Sequence, residues 1–399
     1  MADEVSQRRA NKSAESDEPR IERQGQVWRI RSLSAARQVL RARHATTQAG
    51  FTAEYIPKGR LEHHPILISD GPVHDEQRAK VARFFAPKVV AERHHPHLAE
   101  CAERLLDEAD AQGIISLDEL ALHYSVEVAA RIVGLTERPV PTMARRLVTF
   151  FRQPPLDITR PGLGRTRRQW LQAAVNGLVP ILRFHLADVR PAIRRRRRSP
   201  SDDVISHLIA EGYTDLDILV ECVTYATAGM VTTREFITMA AWHLLESSSL
   251  RTRYLGAEAT ERQAILHEII RLEPPVGHLY RRATASIELV DGGHRATIQP
   301  GDLVDVCVRQ ANTQAEAVGA GPAQLCPGRP LPSGVGAAGL TFGDGAHKCP
   351  GQALAITETD VLLTRLLARN PAMLTPPVLG WDDLIEGYTL RGLRLSLPR

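Results

Sequence analysis

The sequence predicts a mainly α-helical protein with small β-rich parts near both ends of the chain. Through most of residues 72–198, apolar residues recur every three or four positions, as in "SLDELALHYSVEVAARIVGL", which is the spacing of an amphipathic helix. Short strand-like runs occur outside this region, as in "QVWRIR" and "DLVDVCV". Strands and helices nowhere alternate as a parallel α/β sheet requires, so we expect helices to dominate.

The first predicted strand covers residues 27–31 and precedes a helix whose expected N-cap is Ser34. Residues 44–65 are rich in Gly, Pro and His, and such long irregular segments often line a binding site. A long helix is predicted over residues 214–246, although Gly229 within it costs about 1 kcal/mol. Further helices are predicted over residues 259–272 and from the residues after Cys349 onward, with short strands and a Gly/Pro-rich meander between them.

The length suggests two or three domains, although large single domains also reach this size, and the composition indicates a soluble cytoplasmic protein. The 399 residues are 43% hydrophobic, which is enough for a sizeable core, and a formal net charge of +4 does not indicate nucleic-acid binding. The basic run 194–198 is expected to form a solvated loop between helices rather than a docking patch. The five scattered cysteines form no disulfide framework, and no apolar stretch suits a signal peptide or a membrane span. We therefore expect no membrane contact and a disordered polar leader at residues 1–22, which leaves residues 23–399 as the folded part of the chain.

Cys349 stands in the stretch "LTFGDGAHKCPGQALA", whose composition is unusual around a structural cysteine. A lone cysteine is most often an inert core thiol. Here Pro350 suits the first turn of a helix, which places Cys349 at a helix N-terminus, where free N–H groups stabilise a thiolate. The nearby glycines let the backbone approach a bulky flat group, and His347 and Lys348 add hydrogen-bond donors. The stretch therefore fits a thiolate bound to a metal inside a large planar cofactor.

The residues "FGDGAHKCPGQALAITE" resemble the haem-binding loop of the cytochrome P-450 superfamily, F-G-x-G-x-H-x-C-x-G-x-x-L-A-x-x-E. Every fixed position of this long pattern matches, namely Phe342, Gly343, Gly345, His347, Cys349, Gly351, Leu354, Ala355 and Glu358. The resemblance implies haem b with Cys349 as the axial thiolate, His347 as a donor to a haem propionate and Phe342 beside the thiolate. It also implies the family's triangular-prism fold, mainly helical with a small β-rich lobe, as a single domain over residues 23–399. The absence of C-x-x-C-H indicates that the haem is not covalently attached.

"HEIIRLEPP" contains the pair Glu268 and Arg271, spaced i,i+3 on one helix face. In isolation such a pair is an ordinary surface ion pair. It resembles the family's E-x-x-R signature, a buried structural pair that a third residue completes, and Arg329 in "CPGRPL" resembles that third residue. These three residues are therefore expected to support the haem loop without taking part in the chemistry.

Two further stretches resemble the family's propionate-binding motifs. "DGPVHDEQRAKVARFF" is similar to the D-P-P-x-H-x-x-x-R helix, with Gly71 in place of a proline, and implies that His74 and Arg78 bind the propionates. "YRRATASIEL" is similar to R-x-A-T-x-x-x-E-L and implies that Arg281 does so as well. Three cationic side chains suit the two carboxylates of a buried dianion.

"YATAGMVTTREF" resembles the A-G-x-[D/E]-T-T segment, in which a distal helix bends over the haem to make room for dioxygen. Ala228, Gly229, Thr232 and Thr233 match, but Val231 stands where the family has an acid. Thr232 could simply donate back to the carbonyl of Ala228, as helical threonines often do. The resemblance implies instead that its hydroxyl orients water and supplies a proton during oxygen activation. The missing carboxylate normally relays protons from solvent to this position.

The resemblance implies a monooxygenase that activates dioxygen to oxidise a small organic substrate, with electrons from a separate ferredoxin and ferredoxin reductase. Because Val231 replaces the acid, three versions stay open. Protons could travel through water, the substrate, Glu235 or His278; the reaction could be an oxidative coupling or ring formation; or it could be driven by peroxide. The alternatives from other classes are a haem sensor or carrier and a zinc protein built on "RHHPH" (His94, His95 and His97).

The family's topology nominates residues 51–66, 151–165 and 276–279, the distal helix and the turn around residues 388–390 as the lining of a substrate pocket. Polar side chains in these segments predict a moderately polar substrate, aromatic or carrying a carboxylate, as in the tailoring of a secondary metabolite. They are His63, His64, His278, Tyr388 and Arg391. A basic face for an acidic ferredoxin is expected from Lys80, Arg83, Lys88 and Lys348, with scattered surface charge as the alternative.

Overall fold

The computed structural model describes residues 7–12, 15–50, 54 and 62–398. Its α-helices are α1 Leu33–Arg41, α2 Gly71–Phe85, α3 Pro87–Val89, α4 His95–Gln112, α5 Leu117–Val133, α6 Val140–Val148, α7 Arg167–Phe184, α8 Arg190–Arg198, α9 Val204–Ala210, α10 Asp215–Tyr225, α11 Thr232–Glu246, α12 Ser248–Gly256, α13 Ala259–Leu272, α14 Val308–Ala311, α15 Ala315–Val318 and α16 Gln352–Ala368. Its strands are β1 Ile21–Gln24, β2 Val27–Ile30, β3 Thr46–Gln48, β4 Ile114–Ser116, β5 His278–Ala283, β6 Ile287–Asp291, β7 His294–Ile298, β8 Leu303–Cys307, β9 Ala372–Thr375, β10 Val378–Asp382, β11 Gly387–Arg391 and β12 Arg394–Ser396.

The larger hydrophobic core lies among the helices, where α5 packs against α11 and α16 packs against α4 and α13. Large apolar side chains from these helices are fully buried, including Leu98, Tyr124, Phe236 and Leu362. Complete burial of such a side chain contributes about 1.5–3 kcal/mol. The prediction of a mainly helical fold is confirmed, and α13 has the bounds that its apolar spacing predicts.

A second core fills the β-rich lobe, between α1 and a five-stranded sheet of order β1-β2-β8-β5-β3. The pair β2–β8 is parallel and the other neighbours are antiparallel. Trp28, Ile30, Val304 and Val306 are buried in this core. The lobe matters for function because β5 carries Arg281 opposite Gln48 of β3, at the edge that faces the cysteine loop. Smaller sheets pair β6 with β7, β10 with β11, and β12 with β4 and β9.

Glu268 and Arg271 form the buried ion pair that the E-x-x-R resemblance predicts. The Arg271 Nη2 donates to Glu268 Oε1 at 2.7 Å, and Arg329 Nε donates to the same oxygen at 3.2 Å. Arg271 also donates to the backbone carbonyls of Asn312 and Pro322, which lie in the meander that leads to the cysteine loop. The cluster therefore holds helix α13 to the meander. Removal of one member would leave the others as unpaired buried charges, which is strongly destabilising.

Two local predictions were wrong. The N-cap of α1 is Ser32 rather than Ser34, because the Ser32 hydroxyl accepts from the Ala35 N–H while Ser34 lies inside the helix. The basic run 194–198 is helical, as the end of α8, and does not form a loop. Arginine is a good helix former, and ion pairs of Arg196 with Asp203 and of Arg197 with Asp215 hold this end of the helix.

The segment expected to be a disordered leader makes specific contacts in its described part, which corrects that expectation. The N–H of Ala10 donates to Glu273 Oε2 at 3.0 Å, and Arg8 Nε donates to the carbonyl of Leu272 at 3.0 Å. Glu15 accepts from the buried Arg309 through Nε at 2.9 Å. The segment is held because buried charges of the body, Glu273 and Arg309, find their partners in it. The single-domain boundary at residue 23 stays a prediction.

No helix within the described ranges is long and apolar enough to cross a membrane.

Candidate active site

The cysteine loop folds back on itself between the meander and α16. The N–H of Cys349 donates to the carbonyl of Phe342 at 2.7 Å, and the N–H of Gly343 donates to the carbonyl of Leu340 at 2.8 Å. Cys349 is solvent-accessible although it lies deep in the protein, so its thiol faces an internal cleft. Helix α16 begins at Gln352 with Gly351 as its N-cap, so Pro350 precedes the helix instead of forming its first turn as predicted.

Burial raises the pKa of the Cys349 thiol, and three groups oppose this shift. They are the backbone N–H of Gly351, which hydrogen-bonds the sulfur, and the positive charges of Arg78 and Lys348. These are the donors and cations that a thiolate requires at this position. The arrangement therefore fits a sulfur that is held as a thiolate by a metal and is moderated by the protein around it.

Gly345 is required by the path of the loop. Its φ is +68°, and a Cβ at this position would lie 2.2 Å from the carbonyl oxygen of Leu40 in α1. The cysteine loop therefore passes against the end of α1 with no room for a side chain. Gly343 also has a positive φ, of +70°, but its Cβ would make only ordinary contacts.

Asp344 attaches the cysteine loop to α1 by a contact that the sequence did not reveal. Its Oδ2 accepts from Arg37 Nε and Arg41 Nε, each at 3.0 Å, while Oδ1 accepts from the Gly345 N–H at 2.7 Å. Asp344 occupies a variable position of the loop pattern, and the two arginines are about 300 residues away in the chain. Only the tertiary structure brings them together.

Three of the four residues predicted to bind propionates line one small cavity. His74 of α2, Arg281 of β5 and His347 of the cysteine loop all border it, together with Asp70 and Leu40. The imidazole centroids of His74 and His347 are 4.2 Å apart. Burial lowers the pKa of His74, and the charge of His347 adds to this effect. Burial also lowers the pKa of Arg281, to about 10, with Asp70 opposing.

Asp70 is the residue that sequence reasoning missed at this cavity. Its Oδ1 lies 3.0 Å from His347 Nε2, and its carboxylate accepts from the Gln48 N–H. Although burial raises the pKa of Asp70, the hydrogen bonds from His347 and Gln48 lower it overall. Asp70 therefore orients His347 and supplies negative charge among the cations. The aspartate that opens the D-P-P motif was the available sequence signal.

Arg78, the fourth residue, lies one turn beyond His74 on α2 and is outside the cavity lining. Burial lowers its pKa, while the thiol of Cys349 and the hydroxyl of Tyr225 favour its charge. Arg78 is thus placed between the cysteine loop and the distal helix.

The predicted long helix is continuous but not uniform, because residues Ala226–Val231 form a π-helical turn between α10 and α11. Ala228 and Gly229 are exposed within this turn, while Met230 and Val231 are buried. Such π-bulges recur at functional sites. The Thr232 Oγ donates to the carbonyl of Ala228 at 2.6 Å, which is the local bond that the sequence alone left open.

Glu235 and His278, the candidate proton groups, are both paired elsewhere. Glu235 is fully buried and accepts from Arg234, from Arg391 and from the N–H of Leu390. His278 Nδ1 lies 2.7 Å from Asp305 Oδ1, and although burial opposes it, the charge of Asp305 raises the pKa of His278. Neither side chain has a free donor to offer to Thr232.

Most polar side chains that suggested a polar pocket also have internal partners. The Tyr388 hydroxyl is buried and donates to the carbonyl of Glu273 at 3.2 Å, and Arg391 pairs with Glu235. His63 stacks on Tyr213 at 4.0 Å and contacts Asp217. The segment 51–61 of the predicted lining lies outside the described residues, apart from residue 54.

The histidines of "RHHPH" do not form a metal site within the part of the chain that the structure describes. His94 Nε2 lies 2.9 Å from the carbonyl of Phe84, as expected for a structural histidine at a helix start. The groups of potential ligands that lie close together involve other residues, His278 with Asp305 and Cys307, and His63 with Glu62 and Asp217.

A family model described as Cytochrome P450 matches residues 262–371, which include most of α13, the meander and the cysteine loop. Cytochrome P-450 130 of Mycobacterium tuberculosis is 29% identical over 372 residues, covering 88% of this chain and 81% of that protein. Vitamin D(3) 25-hydroxylase of Pseudonocardia autotrophica is 26% identical and covers 82% of this chain and 76% of its own length. Erythromycin C-12 hydroxylase of Saccharopolyspora erythraea is also 26% identical, over 75% and 71% of the two chains.

Solved structures show the same fold. A mutant of P-450 EryK in complex with erythromycin B superposes with a TM-score of 0.77 at 22% identity, over 96% of this chain and 93% of that one. CYP109E1 from Bacillus megaterium in complex with testosterone gives a TM-score of 0.76 at 21% identity, over 96% and 97% of the two chains. The triangular-prism fold with a small β-rich lobe is confirmed.

The relatives and the fold together define an oxidoreductase that binds haem through a cysteine thiolate. The chain belongs to the cytochrome P-450 superfamily, of the bacterial type. It is accordingly a monooxygenase that uses dioxygen and a small organic substrate.

The residues around the cleft fit a haem. The buried Nε2 of His74 has no hydrogen-bond partner among the described residues, and it borders the same cavity as Arg281 and His347, as a propionate would require. Gly345 holds the backbone where a side chain would collide with Leu40. Among the five cysteines, Cys349 alone is accessible beside an α-helix N-terminus.

Proposed function

We propose that Cys349 would supply the thiolate that binds the haem iron and that the surrounding loop would hold the haem. The observation that carries this is the placement of an accessible thiol beside the Gly351 N–H, Arg78 and Lys348, at the end of a loop whose glycine tolerates no side chain. When bound, a haem with a thiolate ligand supplies the oxygen-activating chemistry. Phe342, Gly343, Gly345 and Gly351 shape the loop, and the Gly351 N–H moderates the charge on sulfur.

His74, Arg78, Arg281 and His347 are proposed to bind the two haem propionates. Support comes from the shared cavity of His74, Arg281 and His347 and from the unpartnered Nε2 of His74. Charge-assisted hydrogen bonds to carboxylates are about twice as strong as neutral ones. Asp70 orients the His347 imidazole through its bond to Nε2, so that the other ring nitrogen is free to face a propionate.

Thr232, with Ala228 and Gly229, is proposed to form the dioxygen-binding groove. The exposed residues of the π-helical turn open space beside the helix, and the Thr232 hydroxyl already donates to the Ala228 carbonyl. A small rotation of χ1 would transfer that hydrogen bond from the carbonyl to dioxygen in the groove. Thr232 would then hold a proton donor at the reacting atoms, while the buried Val231 contributes none.

The proposed reaction is oxidation of a small organic molecule in secondary metabolism. Relatives named as hydroxylases of erythromycin and of vitamin D3 support a hydroxylation. The polar side chains that pointed to a polar or carboxylate-bearing substrate are mostly paired inside the protein, so the substrate's polarity is not proposed from them.

Electrons are proposed to come from a ferredoxin and its reductase, which dock on the cysteine side. Lys348, Arg83 and Lys88 are exposed, although Lys88 lies 4.0 Å from Glu92 Oε1, whereas the less exposed Lys80 is paired with both Glu76 and Glu211. An acidic ferredoxin would be steered by this face, and the association would weaken as salt increases. A rate of reduction that is independent of ionic strength would argue for scattered charge instead.

The decisive test of the proposed function is the optical spectrum of the purified protein, reduced with and without carbon monoxide. A strongly red-shifted Soret band is expected, because a thiolate ligand donates electron density to the iron. A haem spectrum without that shift would favour a sensor or carrier. A folded, haem-supplied preparation that binds no haem would reject the assignment.

A second candidate, an oxidative coupling, ring-forming or peroxide-driven enzyme, is favoured by one observation. Val231 stands in place of the proton-relaying acid, and Glu235 and His278 are paired elsewhere. Turnover with hydrogen peroxide that matches turnover with ferredoxin and dioxygen would support the peroxide-driven version. Product formation that requires electrons and dioxygen would support the monooxygenase.

A further inference from the structure

Four buried side-chain atoms that lack hydrogen-bond partners lie around the junction of α2 and α10. They are Gln77 Oε1, Asp217 Oδ1, Glu221 Oε2 and the hydroxyl of Tyr225, and none has a partner among the residues that the structure describes. Buried polar atoms are almost always hydrogen-bonded in native proteins. A group of them without protein partners is the usual setting of internal water.

Three of these residues lie along one face of α10. Asp217, Glu221 and Tyr225 are spaced i, i+4 and i+8, so neighbouring members are about 6 Å apart along the helix axis. The next turn of the same helix contains Ala228 and Gly229, and Thr232 follows. The polar face therefore leads along the helix toward the groove.

The other side of this face is formed by α2 and the segment that precedes it. The N–H of Ile66 donates to Glu221 Oε1 at 2.9 Å, and Gln77 Nε2 donates to the carbonyl of His64 at 2.8 Å. The rings of Phe85 and Tyr225 stack with centroids 6.0 Å apart. Each polar atom without a partner thus belongs to a side chain that is otherwise fixed in place.

The two ends of this polar row differ in exposure. At the outer end, His63 is about one-third exposed, and its Nδ1 lies 3.3 Å from the buried Asp217 Oδ2. At the inner end, Tyr225 lies close enough to Arg78 to favour its charge, and Arg78 is similarly close to Cys349. The row therefore connects solvent with the region between the distal helix and the cysteine loop.

We propose that these residues, with bridging water, form a proton path that replaces the missing acid at position 231. The path, termed here the α10 path, runs from His63 and Asp217 through Glu221 and Tyr225 toward Thr232. It rests on the proposed function, because it supplies the protons of that reaction. Hydroxylation consumes one substrate, one dioxygen, two electrons from the ferredoxin and two protons, and yields the alcohol and one water.

Each transfer along the α10 path conserves protons. The Glu221 carboxyl gives its proton through water and the Tyr225 hydroxyl to the Thr232 hydroxyl, which releases its own proton to the reduced dioxygen in the groove. The resulting Glu221 carboxylate is reprotonated from solvent through Asp217 and His63. Burial raises the pKa of Glu221 to about 7, the negative charge of Asp217 adds to this, and the Ile66 N–H opposes it. Glu221 can therefore hold and release a proton near neutral pH. The other titratable groups around it are Tyr213, Cys222 and Tyr225, with His63 near Asp217 and Arg78 near Tyr225.

The principal experiment compares coupling in Glu221→Gln and in the wild type, as product formed per electron pair consumed. Gln preserves the shape and the acceptor for Ile66 but cannot release a proton. We expect product per electron pair to fall about tenfold, with more peroxide released and a larger solvent isotope effect. Tyr225→Phe should give the same direction of change. Glu119→Gln, an exposed glutamate on α5, is the matched control and should behave as the wild type.

Rescue separates a proton path from a structural role. Val231→Asp restores an acid at the family position, so the double variant Glu221→Gln/Val231→Asp should recover most of the coupling. Failure of Val231→Asp to rescue a folded Glu221→Gln protein would overturn the proposal. So would a loss of coupling in Glu358→Gln with none in Glu221→Gln, because Glu358 is a second buried acid, beside Thr233, whose pKa burial raises to about 8.

A readout that does not depend on catalysis is the infrared carboxyl band of the ferric protein across a pH titration. A protonated carboxyl that titrates near neutral pH and disappears in Glu221→Gln supports the α10 path. A Glu221 that is fully ionised below neutral pH overturns it. Failure of the proposed function is recognised separately, by the absence of a red-shifted carbon monoxide spectrum in the wild type.

Discussion

The cysteine loop and the distal helix face the same cleft but are specified in different ways. In the loop, the backbone is held by fixed glycines, by the bond from the Cys349 N–H to Phe342 and by the closeness of Gly345 to Leu40. On the distal helix, the π-helical turn and the Thr232 bond are retained, but the acid is replaced by Val231. The path of the cysteine loop is therefore specified by steric fit, whereas the proton supply that we propose for the distal side depends on side chains away from position 231.

The largest effect is expected from Cys349→Ala, which removes the side chain that we propose as the thiolate ligand of the haem iron. The red-shifted carbon monoxide band should disappear completely, because no thiolate can then bind iron. Cys326→Ala is the matched control, since Cys326 is the other exposed cysteine. A red-shifted band that persists in Cys349→Ala would show that another residue is the ligand.

The second largest effect is expected from Glu268→Gln, which tests whether the buried cluster of Glu268, Arg271 and Arg329 supports the cysteine loop. Two buried arginines would lose their carboxylate, and the free energy of unfolding should fall by about 3–5 kcal/mol, measured by chemical denaturation. Glu261→Gln breaks an exposed pair with Arg253 and should cost less than about 1 kcal/mol. Equal losses in the two variants would contradict a supporting role for the buried cluster.

Gly345→Ala tests whether the close approach of the cysteine loop to Leu40 of α1 fixes the path of the loop. The added Cβ must displace the end of α1 or change a φ of +68°, and we expect a loss of about 1–3 kcal/mol together with weaker haem retention. Thermal unfolding and haem content measure the two effects. Gly336→Ala is the control, because nothing lies within 4 Å of its Cβ position. Unchanged stability in Gly345→Ala would mean that the loop can move away from α1.

The smallest effect is expected from Val231→Asp, which tests whether the absence of an acid on the distal helix limits proton delivery. If proton delivery limits turnover, oxidase turnover should rise a few-fold, because a carboxyl group adds a short route to Thr232. Val231→Asn introduces a side chain of the same shape as Asp but without an acidic proton, and we expect it to give no gain in oxidase turnover. Equal turnover in wild type, Asp and Asn proteins would show that proton delivery is not limiting.

The sequence alone predicted the features that are encoded by short-range patterns. The helix 259–272 was predicted from its apolar spacing. The cysteine loop, the E-x-x-R cluster and a distal helix that bends at Gly229 were predicted from the resemblance of short motifs to the family, whereas the π-helical form of the bend was not predicted. The misses depend on distant partners. The role of Asp344 depends on its ion pairs with Arg37 and Arg41. The polar row from Asp217 to Tyr225 becomes recognisable as a buried row only when α2 packs beside it. The arginine run 194–198 is helical because arginine has a high helix propensity and because Asp203 and Asp215, which lie outside the run, pair with two of its charges.

The contacts of the N-terminal segment have a practical consequence for recombinant production. A shortened chain that starts at residue 23 would leave Glu273 without the Ala10 N–H, and Arg309 without Glu15. Both charges are fully buried, and along the chain they flank strands β5 to β8, of which β5 carries Arg281. An affinity tag fused directly to these residues would therefore disturb the partners of two buried charged side chains.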